Sequence, residues 1–501
     1  MKVRFVLIIL VSFLTCTGVL AKDYNVLDYG AKDDGITLST VAIQKAIDQA
    51  TEDGGGRVVI PKGSFLIGSL ILKNNVELHL EKNSTLLGST DPSNYIKLNR
   101  WIAMVMADSA SHISITGKGT IDGQGHEIAL HLDSLFYAGL LDSSKYVLKE
   151  KRPRVEVRPQ LIEFVNCRQI KVSDIVLKHA ASWVQSYYAC EDLSIIGIRV
   201  DSDTYWNNDG IDIIDCKNVI INDCYINSSD DGICIKSYGR AWHGTPTCDN
   251  IHVSNCIVRS SASAVKFGAA SHGAFTNVLI ENIKVFDTFR SAIAVESYGN
   301  GILENVTIRN IKATNTGNAI FVRIGKAHQK MVPGKIKGLT ISNVNVKIAK
   351  GIPDAKYIIR GPEPPFFHNP FPASITGLPG HDVQKITLKD ITIKYPGGGN
   401  SAYANMPLHR INDVPENESH YPEFSMFGEL PAWGFYIRHV QNLTMDNIKI
   451  NLKKPDYRPG IVFDDVKELQ LSNYQITGNP EGMSIYLINM DSPSFLENQK
   501  E

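Results

Sequence analysis

The 501-residue sequence is 43% hydrophobic, enough apolar material for a large core, and its length allows one very large domain or two to three ordinary ones. With 51 basic and 52 acidic residues the formal net charge is −1. So balanced a chain carries no global field for nucleic acid or an anionic membrane, and any charged ligand has to be recognised locally.

Residues 1–21 read as an export signal: Lys2 and Arg4, an apolar stretch from Phe5 to about Leu14, and Val19-Leu20-Ala21 as a small-residue cleavage site. Cleavage after Ala21 predicts a periplasmic or secreted protein. Lipidation at Cys16 is the weaker alternative, because Phe13-Leu14-Thr15 poorly matches the small residue expected before a lipidated cysteine. The stretch is too short to span a membrane and nothing later is long enough, so no membrane span is expected. Residues 22–501 are then expected to form a single domain.

Thr37 to Thr51 has helical periodicity, with Ser39 or Thr40 as candidate N-cap and the glycines at 54–56 as a stop. Residues 57–89 read as the first strands. From 168 onward one ten-residue phrase recurs: RQIKVSDIVL at 168–177, EDLSIIGIRV at 191–200, KNVIINDCYI at 217–226, DNIHVSNCIV at 249–258, and so on to KELQLSNYQI at 467–476. Each copy alternates apolar and polar residues across a central Asn, Asp or Gly turn, which is two short strands meeting at a bend. Uninterrupted copies lie 23 to 33 residues apart, the spacing of one solenoid turn. The expected fold is all-β, a parallel β-helix with a short N-terminal capping helix that covers the open end.

Cys167, Cys190, Cys216 and Cys248 each precede a repeat, and Cys224 and Cys256 share its eighth position. Stacked coils would turn them into an interior ladder of small side chains; a metal site or disulfide framework is the competing reading. Two stretches, about 347–383 and 394–435, lack the repeat and are rich in Pro, Gly and aromatics. Loops of that length in a compact fold cover a binding site or cap an end.

The strings WNNDGIDII at 206–214 and SSDDGICIK at 228–236 place Asp209 and Asp231 22 residues apart, each opening the pattern Asp-Gly-Ile-x-Ile. On adjacent coils they would be neighbours, and Asp230 would join them. Three carboxylates that close repel one another, raise at least one pKa, and form the arrangement that acid/base hydrolysis of a glycosidic bond requires. The bland alternative is that both strings are ordinary turns.

Successive copies of the following strand read DGIDII (209–214), DGICIK (231–236), SAVKFG (263–268), SAIAVE (291–296) and NAIFVR (318–323). Their third and fifth positions are apolar and point inward, so Asp212, Lys236, Lys266, Glu296 and Arg323 are expected outward and exposed beside the aspartates. Lys266, Lys236 and Arg323 are candidate substrate-binding cations, with His272 just past the strand. A solvated face charge is the alternative for Lys266 and Arg323, a surface loop residue for His272, and Glu296 could pair with either cation across coils. Trp242, His243, Phe366, Phe367, His368 and Phe371 offer sugar stacking or loop packing.

The chain resembles the polygalacturonase family, glycoside hydrolase family 28, from about residue 24 to 480. The likeness is carried by the opening 24–48 with GGGRVVIPKGSFLIGSLILK, by GKGTIDGQG at 117–125, by RPQLIEF at 158–164 and by the two aspartate strings. The resemblance implies a right-handed parallel β-helix that hydrolyses α-glycosidic bonds of galacturonic-acid-containing pectic material with inversion. It implies Asp209, Asp230 and Asp231 as catalytic, with Asp230 or its neighbour as proton donor, and Asn207 as the first residue of the family's Asn-x-Asp motif. Two basic motifs of the family are replaced, by Ala262-Ser263-Ala264 and by Ala294-Val295-Glu296, which puts the usual grip on a galacturonate carboxylate in question and leaves a rhamnogalacturonan-type substrate open. Such a hydrolase needs no cofactor and no metal, and a monomer is expected. A β-helix polysaccharide lyase and a non-catalytic glycan-binding β-helix are the rival classes.

Overall fold

The computed structural model describes residues 22–239, 247–357, 363–364, 368–479, 483–490 and 494–495. The expected signal segment with Cys16, and Trp242, His243, Phe366 and Phe367, lie outside the described residues. Almost every strand joins one continuous sheet in which each strand pairs in parallel with its equivalent on the next coil. That is a parallel β-helix, right-handed as parallel crossovers are.

The repeat phrase supplies two of its faces. Ile170 stacks on Leu193, Val219 and Ile251, and beyond the bend Leu177 stacks on Val200, Ile226 and Val258. The bend is a left-handed residue: Asn255, Asn282, Asn310 and Asn343 have φ of 57°, 57°, 57° and 51°. Asn tolerates that region better than other non-glycine residues. Asn282, Asn310 and Asn343 also donate to the amide on the preceding coil, at 3.1, 3.0 and 2.7 Å. The polar position in the repeat thus fixes both the corner and the register.

The third face carries the aspartate strings. Ile211, Ile233, Val265, Ile293 and Ile320 stack inward, as do Ile213, Ile235, Phe267, Val295 and Val322. Cys167, Cys190, Cys216, Cys224, Cys234, Cys248 and Cys256 are all buried and unpaired. The ladder reading describes six of them, the Cys190 N–H pointing at the Cys216 Sγ on the next coil at 3.4 Å, whereas Cys234 stands in the outward row between Asp212 and Lys266.

The capping helix, α1, runs Thr40–Glu52 and buries Ile43, Ala46, Ile47 and Ala50, an i, i+3, i+4, i+7 stripe. It starts later than expected, because Thr37 belongs to the strand Asp34–Leu38. Ser39 occupies the cap position, but its hydroxyl is held by the Lys32 N–H at 2.9 Å and no helix N–H reaches it. Strands also begin earlier than 57, at Asp23–Asn25. A second helix, α2 (Gly125–Tyr137), follows the GKGTIDGQG string and has no repeat signal to announce it. The first interruption is shorter than expected: strand Lys335–Ile348 runs past 347, and Ala373–Thr376 is a four-residue strand of the third face, too short to show alternation.

Phe267 is fully buried and edge-on to Phe275 at 5.9 Å. Phe267→Ala is expected to cost about 3–5 kcal/mol in urea unfolding. With every described cysteine unpaired, reductant is expected to leave the melting temperature unchanged.

Candidate active site

Register brings the aspartates together. Ile211 pairs with Ile233, and the Gly210 N–H donates to the Asp231 carbonyl at 2.8 Å, so the two Asp-Gly corners lie on adjacent coils. Asn208 is fully buried and holds the first corner, accepting from the Tyr205 N–H and donating to the Ser182 carbonyl. Asn207, left-handed at φ 61°, turns its amide to the site and donates to Asp230 at 3.3 Å. Its oxygen is fixed by Arg158 at 2.8 Å and by Arg152. Arg158 is fully buried, and burial pulls it down to about 9.

The three aspartates have different company. Asp209 accepts from Lys236 Nζ at 2.8 Å, and the same ammonium meets Asp212 at 2.5 Å. Asp231 lies 3.1 Å from Lys266 Nζ and accepts from the Ser263 N–H at 3.2 Å. Asp230 is partly exposed, and among the described residues no cation lies within ion-pair distance of it. Its other contact is the Asp231 N–H at 3.1 Å.

Protonation follows from this. Burial and the neighbouring Asp231 charge push Asp230 up. Burial also works against an ionised Asp231, but Lys266, Lys236 and Arg290 outweigh it and hold Asp231 below the usual range. Asp209 is pushed well up and Asp212 to about 6, both mainly by burial, because one ammonium serves two buried carboxylates. Glu296, 3.4 Å from Lys266, is raised by burial to about 8. Carboxylates whose surroundings drive their pKa values apart are the pairing that acid/base catalysis uses.

Alternation places Asp212, Lys236, Lys266, Glu296 and Arg323 outward as expected, but the expected exposure is wrong. They are 0, 7, 2, 3 and 1% exposed. Over Lys266 and Arg323 the covering comes from the second interruption, whereas Lys236 packs against Trp183. Tyr421 accepts from Lys266 at 3.2 Å, and Glu423 pairs with Arg290 at 2.6 Å. Glu418 pairs with Lys326, and the Ser419 carbonyl accepts from Tyr298 at 2.7 Å. Arg323 serves this covering: it donates to the Gly377 carbonyl at 2.7 Å and to the Glu416 carbonyl. Glu296 does pair with Lys266, which makes that cation part of a buried triad with Asp231.

Half-buried His272 sits beside Asp215, and among the described residues no hydrogen bond or ion pair joins it to the three aspartates. His368 and Phe371 pack together at 4.4 Å, and Phe371 is buried against Phe424, a loop-packing role. The sequence reading had no role for the wall on the opposite side. Arg100 stacks at 4.3 Å on Trp101 and 4.2 Å on Tyr238, while Lys236 lies 3.9 Å over Trp183. Behind it Glu163 is buried and raised to about 7 by that burial. Arg290, Tyr421 and Glu423 were also missed; they lie in a corner or an aperiodic segment, where no alternation assigns a side. Asp382, His439 and Asp465 converge enough to hold a cation, but both His439 nitrogens are bonded to carboxylates, Glu416 and Asp465, and Lys467 reaches Asp382 at 3.0 Å.

The model of glycosyl hydrolases family 28 matches residues 51–359, and the chain belongs to that family. A probable polygalacturonase of Vitis vinifera is 29% identical over 286 residues, 52% of this chain and 55% of that one, so the chain spans only about half of that relative. An exo-poly-alpha-D-galacturonosidase of Dickeya chrysanthemi is 24% identical over 75% of this chain and 70% of its own. In structure, a family 28 exopolygalacturonase of Yersinia enterocolitica superposes with a TM-score of 0.61 at 20% identity, covering 96% of this chain and 79% of that one, a likeness of fold.

Lys266→Met removes the cation paired with Asp231, the largest of the three charges that favour its ionised form. If Asp231 works ionised, activity falls as pH drops through its pKa. The acid limb of the kcat/KM profile is then expected to move to higher pH in the variant, with the alkaline limb less affected; pH–rate profiles of both proteins check this.

Proposed function

We propose that the chain is an inverting glycoside hydrolase acting on galacturonic-acid-containing pectic polysaccharide or oligosaccharide. The observation that carries the reading is the split between Asp230, raised and with no cation in ion-pair distance among the described residues, and Asp231, depressed and paired with Lys266. Protonated Asp230 gives its proton to the glycosidic oxygen as the bond to the anomeric carbon breaks. A water on the opposite face, losing its proton to Asp231 with Asp209 beside it, closes on that carbon. Asn207, locked by Arg152 and Arg158, aims Asp230. No step requires a group other than these side chains and water.

The segment 416–424 supports exo action. It is fastened to Arg290, Tyr298, Lys326, Arg438 and His439, and so lies across the coils on the C-terminal side of the aspartates. A cleft walled on that side admits a chain end more readily than a chain middle. The relative of Dickeya chrysanthemi is named as an exo-enzyme, which is consistent with this reading.

Incubated without metal on polygalacturonate, rhamnogalacturonan and short galacturonate oligomers, the protein is expected to release saturated reducing ends. Asp230→Asn should lower the rate about 10²–10⁴-fold. An absorbing unsaturated product would overturn hydrolysis in favour of a lyase. A single small product from the earliest times is expected, and a ladder of mixed oligomers would overturn exo action.

A further inference from the structure

A second cleft lies away from the aspartates, with a volume of about 1060 Å³. Its walls carry Lys347, Lys350, Lys394, Lys453 and Lys454, all exposed, together with the exposed ring of Tyr403. Among the described residues no carboxylate side chain lines it and none lies within ion-pair distance of these lysines. Of the acids beside it, Glu429 and Asp456 are buried and both paired with Arg458, and Asp287 accepts from the lining Asn315 at 2.7 Å.

The helix arranges these cations in a line. Lys347 and Lys394 are directly opposite on adjacent coils, and Lys394 is opposite Asn451 on the next, just before Lys453 and Lys454. Like charges directly opposite are unfavourable unless something neutralises them. A small anion would meet two of them at most. A linear polymer with a carboxylate on each unit could meet successive lysines along the coil axis. Single-stranded nucleic acid fits less well, because it is held by a series of stacking aromatics.

The cleft is distinct from the catalytic cluster. Asn227, three residues before Asp230, stacks on Arg259, and the same row continues through Phe286 and Thr314 to Lys347. The cleft, which begins at Thr314, is thus three coil steps of about 4.8 Å along the axis, roughly 14 Å, and Lys347 is four, roughly 19 Å. Asp354, 3.6 Å from Arg259, places the first insertion between the two.

We propose that this lysine-lined cleft is a second, non-catalytic binding site for an acidic polysaccharide, which holds a polyuronate chain to the enzyme independently of the chemistry at the aspartates. The test is affinity electrophoresis of the full chain carrying Asp230→Asn, through gels containing polygalacturonate, fully methyl-esterified pectin or single-stranded DNA. A short galacturonate oligomer is present throughout to fill the catalytic cleft. Polygalacturonate is expected to retard the protein, the esterified polymer not, and salt to abolish the effect. Lys347→Glu with Lys394→Glu should weaken retardation about tenfold. Lys453→Gln with Lys454→Gln, which removes the charges without reversing them, should weaken it less. In chains with Asp230 intact, both pairs should raise KM on polymer and leave hydrolysis of a trimer unchanged. Equal retardation of parent and both variants, or stronger retardation by DNA than by polygalacturonate, overturns the proposal. A chain inactive on all pectic substrates yet retarded through the lysines would refute the catalytic reading and leave this one standing.

Discussion

In-register parallel stacking is the constraint on which everything else here depends. Once one coil sits about 4.8 Å above the next, sequence positions one period apart become neighbours, whatever lies between them. The same rule that stacks Ile211 on Ile233 brings two Asp-Gly corners together, aligns four cysteines, and chains Asn255 to Asn343. The core, the corner and the site are three consequences of one spacing.

The site is an electrostatic problem in a small volume. Asp209, Asp212, Asp231, Glu296 and Glu423 share three directly paired cations, Lys236, Lys266 and Arg290, and Asp230 pairs with none of them. Burial makes full ionisation unfavourable, and some of the acids keep protons. Which ones do is decided by where the ammonium groups stand: Lys266 claims Asp231, Lys236 is divided between Asp209 and Asp212, and Asp230 is left with an amide. An outward-facing lysine in such a stack is as much a device for setting protonation as a contact for substrate.

How much of this was legible follows from periodicity. The β-helix, its bends, the inward rows and the outward placement of Lys236, Lys266, Glu296 and Arg323 could all be read because alternation and repeat length encode them. Burial of those outward groups could not, since Lys266 and Arg323 are covered by residues 416–424, which follow no period, and Lys236 by the ring of Trp183. Arg323 shows the cost: its side was right, but its guanidinium holds the carbonyls of Gly377 and Glu416 beneath the insertion. Arg158 stood within the quoted RPQLIEF string, yet its task of locking Asn207 depends on a contact 49 positions away that no local pattern encodes.

A solenoid ordinarily transmits load only between neighbouring coils, so its ends can open without disturbing its middle. The segment 416–424 departs from that rule. Glu416 is tied to Arg438 and His439 on a late coil, while Glu423 is tied to Arg290 beside the aspartates. The segment is a brace spanning several coils, and it couples the C-terminal end of the stack to the wall beside the aspartates. Unzipping that begins at the C-terminal coils would slacken that wall while the aspartates still sat on an intact core, so inactivation and global unfolding need not coincide in this protein.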